Sequence, residues 1–214
     1  MFKKLIIVGA GEHGRVAGNI LKNQYRIAGY LDSNLKLPGV LGDIKSYKNY
    51  LKDHYFFIAI GNNTTRYKFY STLKNGGARF VNAIHKTAVV DNNVRLGNNV
   101  LIGAMSYVNV GSRIGDNSHI NNKCLIEHDN QIGEHCHLTP GVVTGGGVVI
   151  GNHSYIGLGA VINDHIKISE RVIIGSGAVV IGDIPSNSVA VGVPAKVKEI
   201  NGEYVKALGI IKKK

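Results

Sequence analysis

The sequence predicts two units of different class, an α/β N-terminal unit followed by an all-β parallel β-helix. Two observations carry this division. Up to about residue 82, strand-like and helix-like segments alternate. From residue 90 the hydrophobic period becomes six: every sixth position to 180 is Val, Leu or Ile, with Thr144 breaking the series. A third observation agrees: 28 of 214 residues are glycine, a share that suits a chain with many tight turns. The expected boundaries are 1–84 for the first unit and 85–198 for the second, with a basic tail over 199–214.

In the first unit "KLIIV" reads as a short buried strand and "GAGEHG" as a turn. Residues 13–22 read as a helix and "RIAGYLD" as the second strand. A weak helix over 43–52 leads to "YFFIAI", the third strand, and "GNN" opens a helix over about 64–74. "ARFVN" closes the set. This order predicts a small parallel sheet with helices on both faces.

In the second unit three hexads make a triangular coil of eighteen residues, and coils stack at about 4.8 Å. Positions 90 to 180 supply about five coils. The aliphatic and the small residue four later point inward, so Cys124 and Cys136 are expected to fill the core as small hydrophobes. Residues eighteen apart stack. His119, His137 and Tyr155 form one outward column; His135, His153 and Arg171 form another, with His135 expected at the surface. Such pairs on different faces do not supply three converging ligands, and no metal is expected. Glu127, His128 and Asp129 occupy a corner whose next rung is Gly145, Gly146 and Gly147, a bare ledge at the place where Thr144 interrupts the series. His128 and His137 are half a coil apart, on different sides of one prism. They could share a site only between neighbouring subunits, as in a side-by-side trimer.

The net charge of +11 implies anionic partners. No aromatic-basic interleaving or nucleic-acid motif is present, so phosphorylated small molecules are expected rather than nucleic acid. The apolar run in "MFKKLIIVGAGEHGR" is too short for a signal peptide, and no stretch approaches a membrane span, so no stable membrane insertion is expected. Two cysteines and no export signal fit a cytoplasmic protein.

"IEHDNQIGEHCHLTPG", the hexapeptide coils and the closing "VAVGVPAK" at 189–196 resemble the hexapeptide acyltransferases with a left-handed β-helix. "IIVGAGEHGR", "FFIAIGNN" and "NAIHKTAVV" narrow the resemblance to the PglD/NeuD-like sugar acetyltransferases, over residues 3 to about 196. The resemblance implies acetyl-CoA as co-substrate and a sugar acceptor, often the amine of a UDP-linked amino sugar. It implies that His128 is the general base, with Asp129 raising its basicity. It implies that His137 of the neighbouring subunit contacts the thioester region, and that Gly146, Leu158 and Ser176 (in "GSG", 175–177) lie along the cofactor. Close relatives often carry Glu where this chain has Asp129. Amine attack on a thioester needs a group that takes a proton near neutral pH, which histidine, at about 6.5, supplies. With both cysteines inward, direct transfer rather than a covalent acyl-enzyme is expected.

"GAGEHG" is a literal G-x-G-x-x-G, with Asp32 after the second strand, and would ordinarily point to a Rossmann-like dinucleotide site. Backbone N–H groups at a helix start hold any diphosphate, however. Beside a candidate acetyl-transfer site, the small sheet is expected to bind the nucleotide of the sugar substrate. By resemblance, Gly11, Glu12 and His13 line the phosphate site, Asp32 and Ser33 face the nucleoside, and Gly61 ends the third strand. His54 is expected in a loop and His85 at the join. The competing readings are sugar O-acetylation of the sialic-acid type, a dinucleotide-binding oxidoreductase or sensor, a metal-dependent β-helix hydratase, and a non-catalytic scaffold.

Overall fold

The computed structural model describes residues 3–198; the expected tail over 199–214 lies outside the described residues. The first unit is a parallel sheet of β1 (Lys4–Val8), β2 (Arg26–Leu31), β3 (Val40–Gly42) and β4 (His54–Ile58), in the order β3-β2-β1-β4. Strand β1 alternates between two cores, as a strand buried on both faces must. Leu5 and Ile7 pack with Ala17 and Leu21 of α1 (Glu12–Leu21). Ile6 and Val8 pack with Tyr70 and Leu73 of α2 (Asn63–Asn75) and with Tyr47. The weak helix expected over 43–52 is a 3-10 segment, Ile44–Tyr50, whose first turn is capped by Asp43 accepting from the Lys45 amide. His54 opens β4 instead of lying in a loop.

From Ala83 the chain winds into a left-handed β-helix with three faces of eight, six and five strands. The first face stacks Leu101, His119, His137, Tyr155 and Ile173; the second stacks Tyr107, Leu125, Val143, Val161 and Val179; the third stacks Arg95, Arg113, Gln131, Val149 and Lys167. The second residue of each two-residue strand points inward, and Ile102, Val108, Ile120, Ile126, Ile156 and Ile174 are all 0% exposed. Cys124 and Cys136 are buried among them and unpaired.

Among the contacts that join the two units are one buried cation and one polar ladder. Arg66 of α2 is 0% exposed. Its guanidinium donates to the carbonyls of Ile60, Gly61, Asn117, His135 and Cys136 at 2.9–3.2 Å. Beside it, the Ile58 amide donates to Asn99 Oδ1 (2.7 Å), Asn99 donates to Asn117 (2.8 Å), and Asn117 donates to His135 Nδ1 (2.9 Å). Asn99, Asn117 and His135 all stand at φ of 58–60°, the left-handed position that closes each corner. Tyr67 packs its ring edge against His135 and His153.

His119, His135 and His137 therefore differ from expectation. They point outward from the β-helix, yet are only 0%, 5% and 7% exposed, because the first unit covers them.

Candidate functional site

The corner carrying Glu127, His128 and Asp129 is built by the polar residues around it. Thr144, fully buried, places its hydroxyl 3.4 Å from the Glu127 amide, which donates to it. Asn130, also fully buried, donates to the carbonyls of Glu127 (2.7 Å) and Gly145 (2.8 Å). The break in the aliphatic series thus has a local cause: a methyl group at 144 would leave a backbone amide beside His128 without this acceptor.

His128 projects from this corner with half of its side chain exposed, and its Nδ1 lies 2.9 Å from Asp129 Oδ2. A carboxylate can only accept, so Nδ1 carries the hydrogen and Nε2 keeps a free lone pair. The ring lies over Gly146, where a Cβ would come within 2.6 Å of both Cε1 and Nε2. A Cβ on Gly147 would lie 2.6 Å from Nδ1 of His165, one coil further on. The ledge expected to be bare is therefore roofed by two imidazoles. The glycines at 146 and 147 make room for His128 from the coil before and His165 from the coil after.

A cavity of about 500 Å³ opens at the C-terminal ends of β1 and β4. Gly9, Gly11, Glu12, His13, Asp32 and Gly61 line it; Ser33 is exposed and outside the lining. The glycines have distinct reasons. Gly9 stands at φ +99°, and a Cβ there would come within 2.7 Å of the Ala59 carbonyl. Gly11 is the N-cap of α1, with open space where a side chain would be. It offers no capping oxygen, so the first-turn N–H groups of α1 face the cavity free to meet an anion. Asp32 braces this loop, accepting from the Ala10 amide (2.7 Å) through Oδ2 and the Asn34 amide (2.8 Å) through Oδ1.

His13 links the cavity to the β-helix. Its Nε2 is 2.9 Å from His119 Nδ1, and the two rings stack. His137 joins from the next rung, donating from Nδ1 to the Gly61 carbonyl at 3.1 Å. Burial, reinforced by the Arg66 charge, lowers His13 to about 4, His137 to about 3, and His119 well below the usual histidine range. All three are neutral at physiological pH. Nε2 of His137 is out of solvent reach. His137 thus stands against Gly61 of its own chain, behind the cavity lining rather than in it.

Among the sequence-predicted residues, the structure thus brings together Gly11, Glu12, His13, Asp32 and Gly61, with His137 behind them, and separately His128, Asp129 and Gly146. Leu158 and Ser176 are exposed on the corner between the first and second faces, across the second face from His128. Sequence reasoning missed Arg66, Asn130 and His165. Only His165 had a signal, its position eighteen residues after Gly147. Among the described residues no group of three or more His, Cys, Asp or Glu is placed to hold a metal ion, and no helix is long and apolar enough to cross a membrane.

Comparison with known proteins shows the family. Residues 4–73 match the PglD N-terminal domain family. A UDP-N-acetylbacillosamine N-acetyltransferase of Bacillus subtilis is 31% identical over 112 residues, 48% of this chain and about half (52%) of that relative's length. A histidine-to-asparagine variant of perosamine N-acetyltransferase from Caulobacter crescentus, solved with CoA and GDP-perosamine, is 34% identical. It covers 94% of this chain and 99% of its own, with a TM-score of 0.88. The acetyltransferase domain of PglB from Neisseria gonorrhoeae is 28% identical and covers 92% of this chain and 100% of its own, also at 0.88; it has been solved with acetyl coenzyme A as well. A shared architecture across both units, with identity above 30% along nearly the whole Caulobacter chain, means that this chain belongs to the PglD-like family of sugar acetyltransferases.

Proposed function

We propose that the chain transfers the acetyl group of acetyl-CoA to the amine of a nucleotide-linked amino sugar, by direct attack, with His128 as general base. The observation that carries this is the His128–Asp129 pair: Nδ1–H is committed to the carboxylate and Nε2 is left with its lone pair at an exposed corner. The amine nitrogen attacks the thioester carbonyl carbon and passes a proton to Nε2. The C–S bond then breaks, and coenzyme A leaves as its thiol, taking that proton back. Neither cysteine takes part, since burial raises the Cys124 thiol to about 11 and Cys136 to about 12.

The diphosphate binds on the first turn of α1, with Gly11, Glu12, His13 and Asp32 around it, in the unit over 1–84; transfer takes place on the β-helix over 85–198. The cavity and His128 lie on different sides of one chain, so the working site forms between subunits of a homotrimer. The exposed apolar residues of the second face and its corners support this packing: Val89, Val161, Met105 and Leu158 are 37–66% exposed. Leu158 and Ser176 at one edge of this face then approach the neighbour's His128 at the other, with acetyl-CoA between them. The Bacillus relative is named for a UDP-linked sugar and the Caulobacter one is solved with GDP-perosamine; a UDP-linked amino sugar is the acceptor proposed here.

Thiol release from acetyl-CoA, followed across UDP-, GDP- and TDP-linked 4-amino sugars and free sialic acid, tests the proposal with wild type and His128→Asn side by side. Turnover on a UDP-linked amine that collapses in the variant is expected. Turnover confined to a hydroxyl acceptor, or a variant as active as wild type, would overturn it.

A further inference from the structure

The diphosphate cavity has a charge problem. Its lining contains two carboxylates, Glu12 and Asp32, and neither lysine nor arginine. His13 is held neutral by burial and Arg66. A bound diphosphate would meet only the α1 N-terminus as a positive partner. Such an end carries about half a charge, and the ligand about two.

The third face of the β-helix has the opposite problem. Arg95 and Arg113 are register partners on adjacent rungs. Both are exposed, and neither has an ion-pair partner among the described residues. Like charges directly opposite one another on a sheet face repel. With Gln131 on the next rung, they border a cleft of about 440 Å³. Gln131 is three residues beyond His128, so the cleft begins where the transfer corner ends.

We propose that these arginines complete the diphosphate site of the neighbouring subunit. The inference rests on the trimeric reading above. If His128 of one subunit must reach the sugar held by another, the third face next to His128 comes with it. Arg95 and Arg113 then face a diphosphate that its own chain leaves undercompensated, and the forked guanidinium matches phosphate oxygens. The ligand class is a nucleoside diphosphate, and the contact is made in trans.

The test uses the full-length protein, with Arg95→Gln, Arg113→Gln and the double variant. Both side chains are exposed, so the fold does not depend on them. Binding of UDP, GDP and TDP is measured by calorimetry, and binding of coenzyme A separately. The expected result is a roughly tenfold loss of nucleotide affinity per arginine, a shallower salt dependence in the double variant, and unchanged coenzyme A affinity. Unchanged nucleotide affinity would overturn the proposal. So would loss confined to coenzyme A, since the cleft would then serve the other substrate's phosphates. Wild type that binds no nucleoside diphosphate would instead remove the nucleotide-sugar reading beneath it.

Trans action has its own signature. Trimers reassembled from a mixture of the double variant and an Asp32→Ala chain, each weak alone, regain tight nucleotide sites. They do so only if the arginines of one chain serve the cavity of another. No recovery in the mixture would place the arginines in cis and refute the arrangement.

Discussion

Replacing Gly146 with Ala tests the transfer site with one methyl group. That methyl would sit 2.6 Å from Nε2 and Cε1 of His128 and 3.2 Å from Nδ1. Comfortable separations between such atoms are about 3.5–4.0 Å, so the ring must retreat by about 1 Å. The obstacle is a half-exposed imidazole, free to swing away, and Gly146 is not among the glycines at positive φ. The fold should therefore tolerate alanine, and the lower entropy of the unfolded chain even adds about 0.4–1 kcal/mol. The base, however, is displaced and its bond to Asp129 disturbed. A misplacement of about 1 Å costs on the order of a hundredfold in rate. The assay is kcat at saturating acetyl-CoA, beside thermal unfolding and coenzyme A affinity. A hundredfold fall in kcat with an unchanged or slightly higher Tm is expected. If kcat stays within about twofold of wild type, His128 does not work from the position described, and the argument fails.

Arg66→Met should lower stability by on the order of 3 kcal/mol, since five carbonyls lose a buried donor; a urea midpoint equal to wild type would contradict the clamp. Stability should also fall with acid. Unfolded, each histidine binds a proton below about pH 6.5. Folded, His13 and His135 stay neutral down to about 4 and His137 to about 3. The unfolded chain therefore binds more protons in that interval, so stability is full above about 6.5 and declines below it. His137 alone contributes a slope on the order of 1 kcal/mol per pH unit at most within that interval. Urea midpoints at pH 7, 6 and 5 check this, and a flat series would rule it out. Finally, a chromogenic disulfide reagent should find no reactive thiol in the native protein and two after denaturation, because Cys124 and Cys136 are buried.

Much of the site was legible because the β-helix repeats. A period of six assigns each residue to core, face or corner, so it placed His128 and Asp129 beside Gly146 and sent both cysteines inward. The glycine loop was legible for another reason, since Gly9 at positive φ and Gly14 against the Gly9 carbonyl answer to local backbone demands. What could not be read is the docking of one unit on the other. Periodicity says that His119, His135 and His137 leave the core; it does not say that Phe57, Tyr67 and His13 wait outside. Arg66 had no signal either, because in sequence it is one basic residue among many on a polar helix. Three of its five carbonyl partners, those on the β-helix, are 51 to 70 residues away.

The buried clamp also sets which parts of the molecule are free to change length. Arg66 grips the β-helix at Asn117 and at His135 and Cys136, and His128 lies between those points in the same turn of the chain. The nucleotide cavity is thus indexed to the turn that carries the base. A whole eighteen-residue turn added after the gripped one would lengthen the prism without moving the cavity relative to that base. An insertion of fewer residues between Asn117 and His135 would rotate the base off its corner. Family members should therefore tolerate growth and loss at the C-terminal end of the spiral and resist it within this single turn.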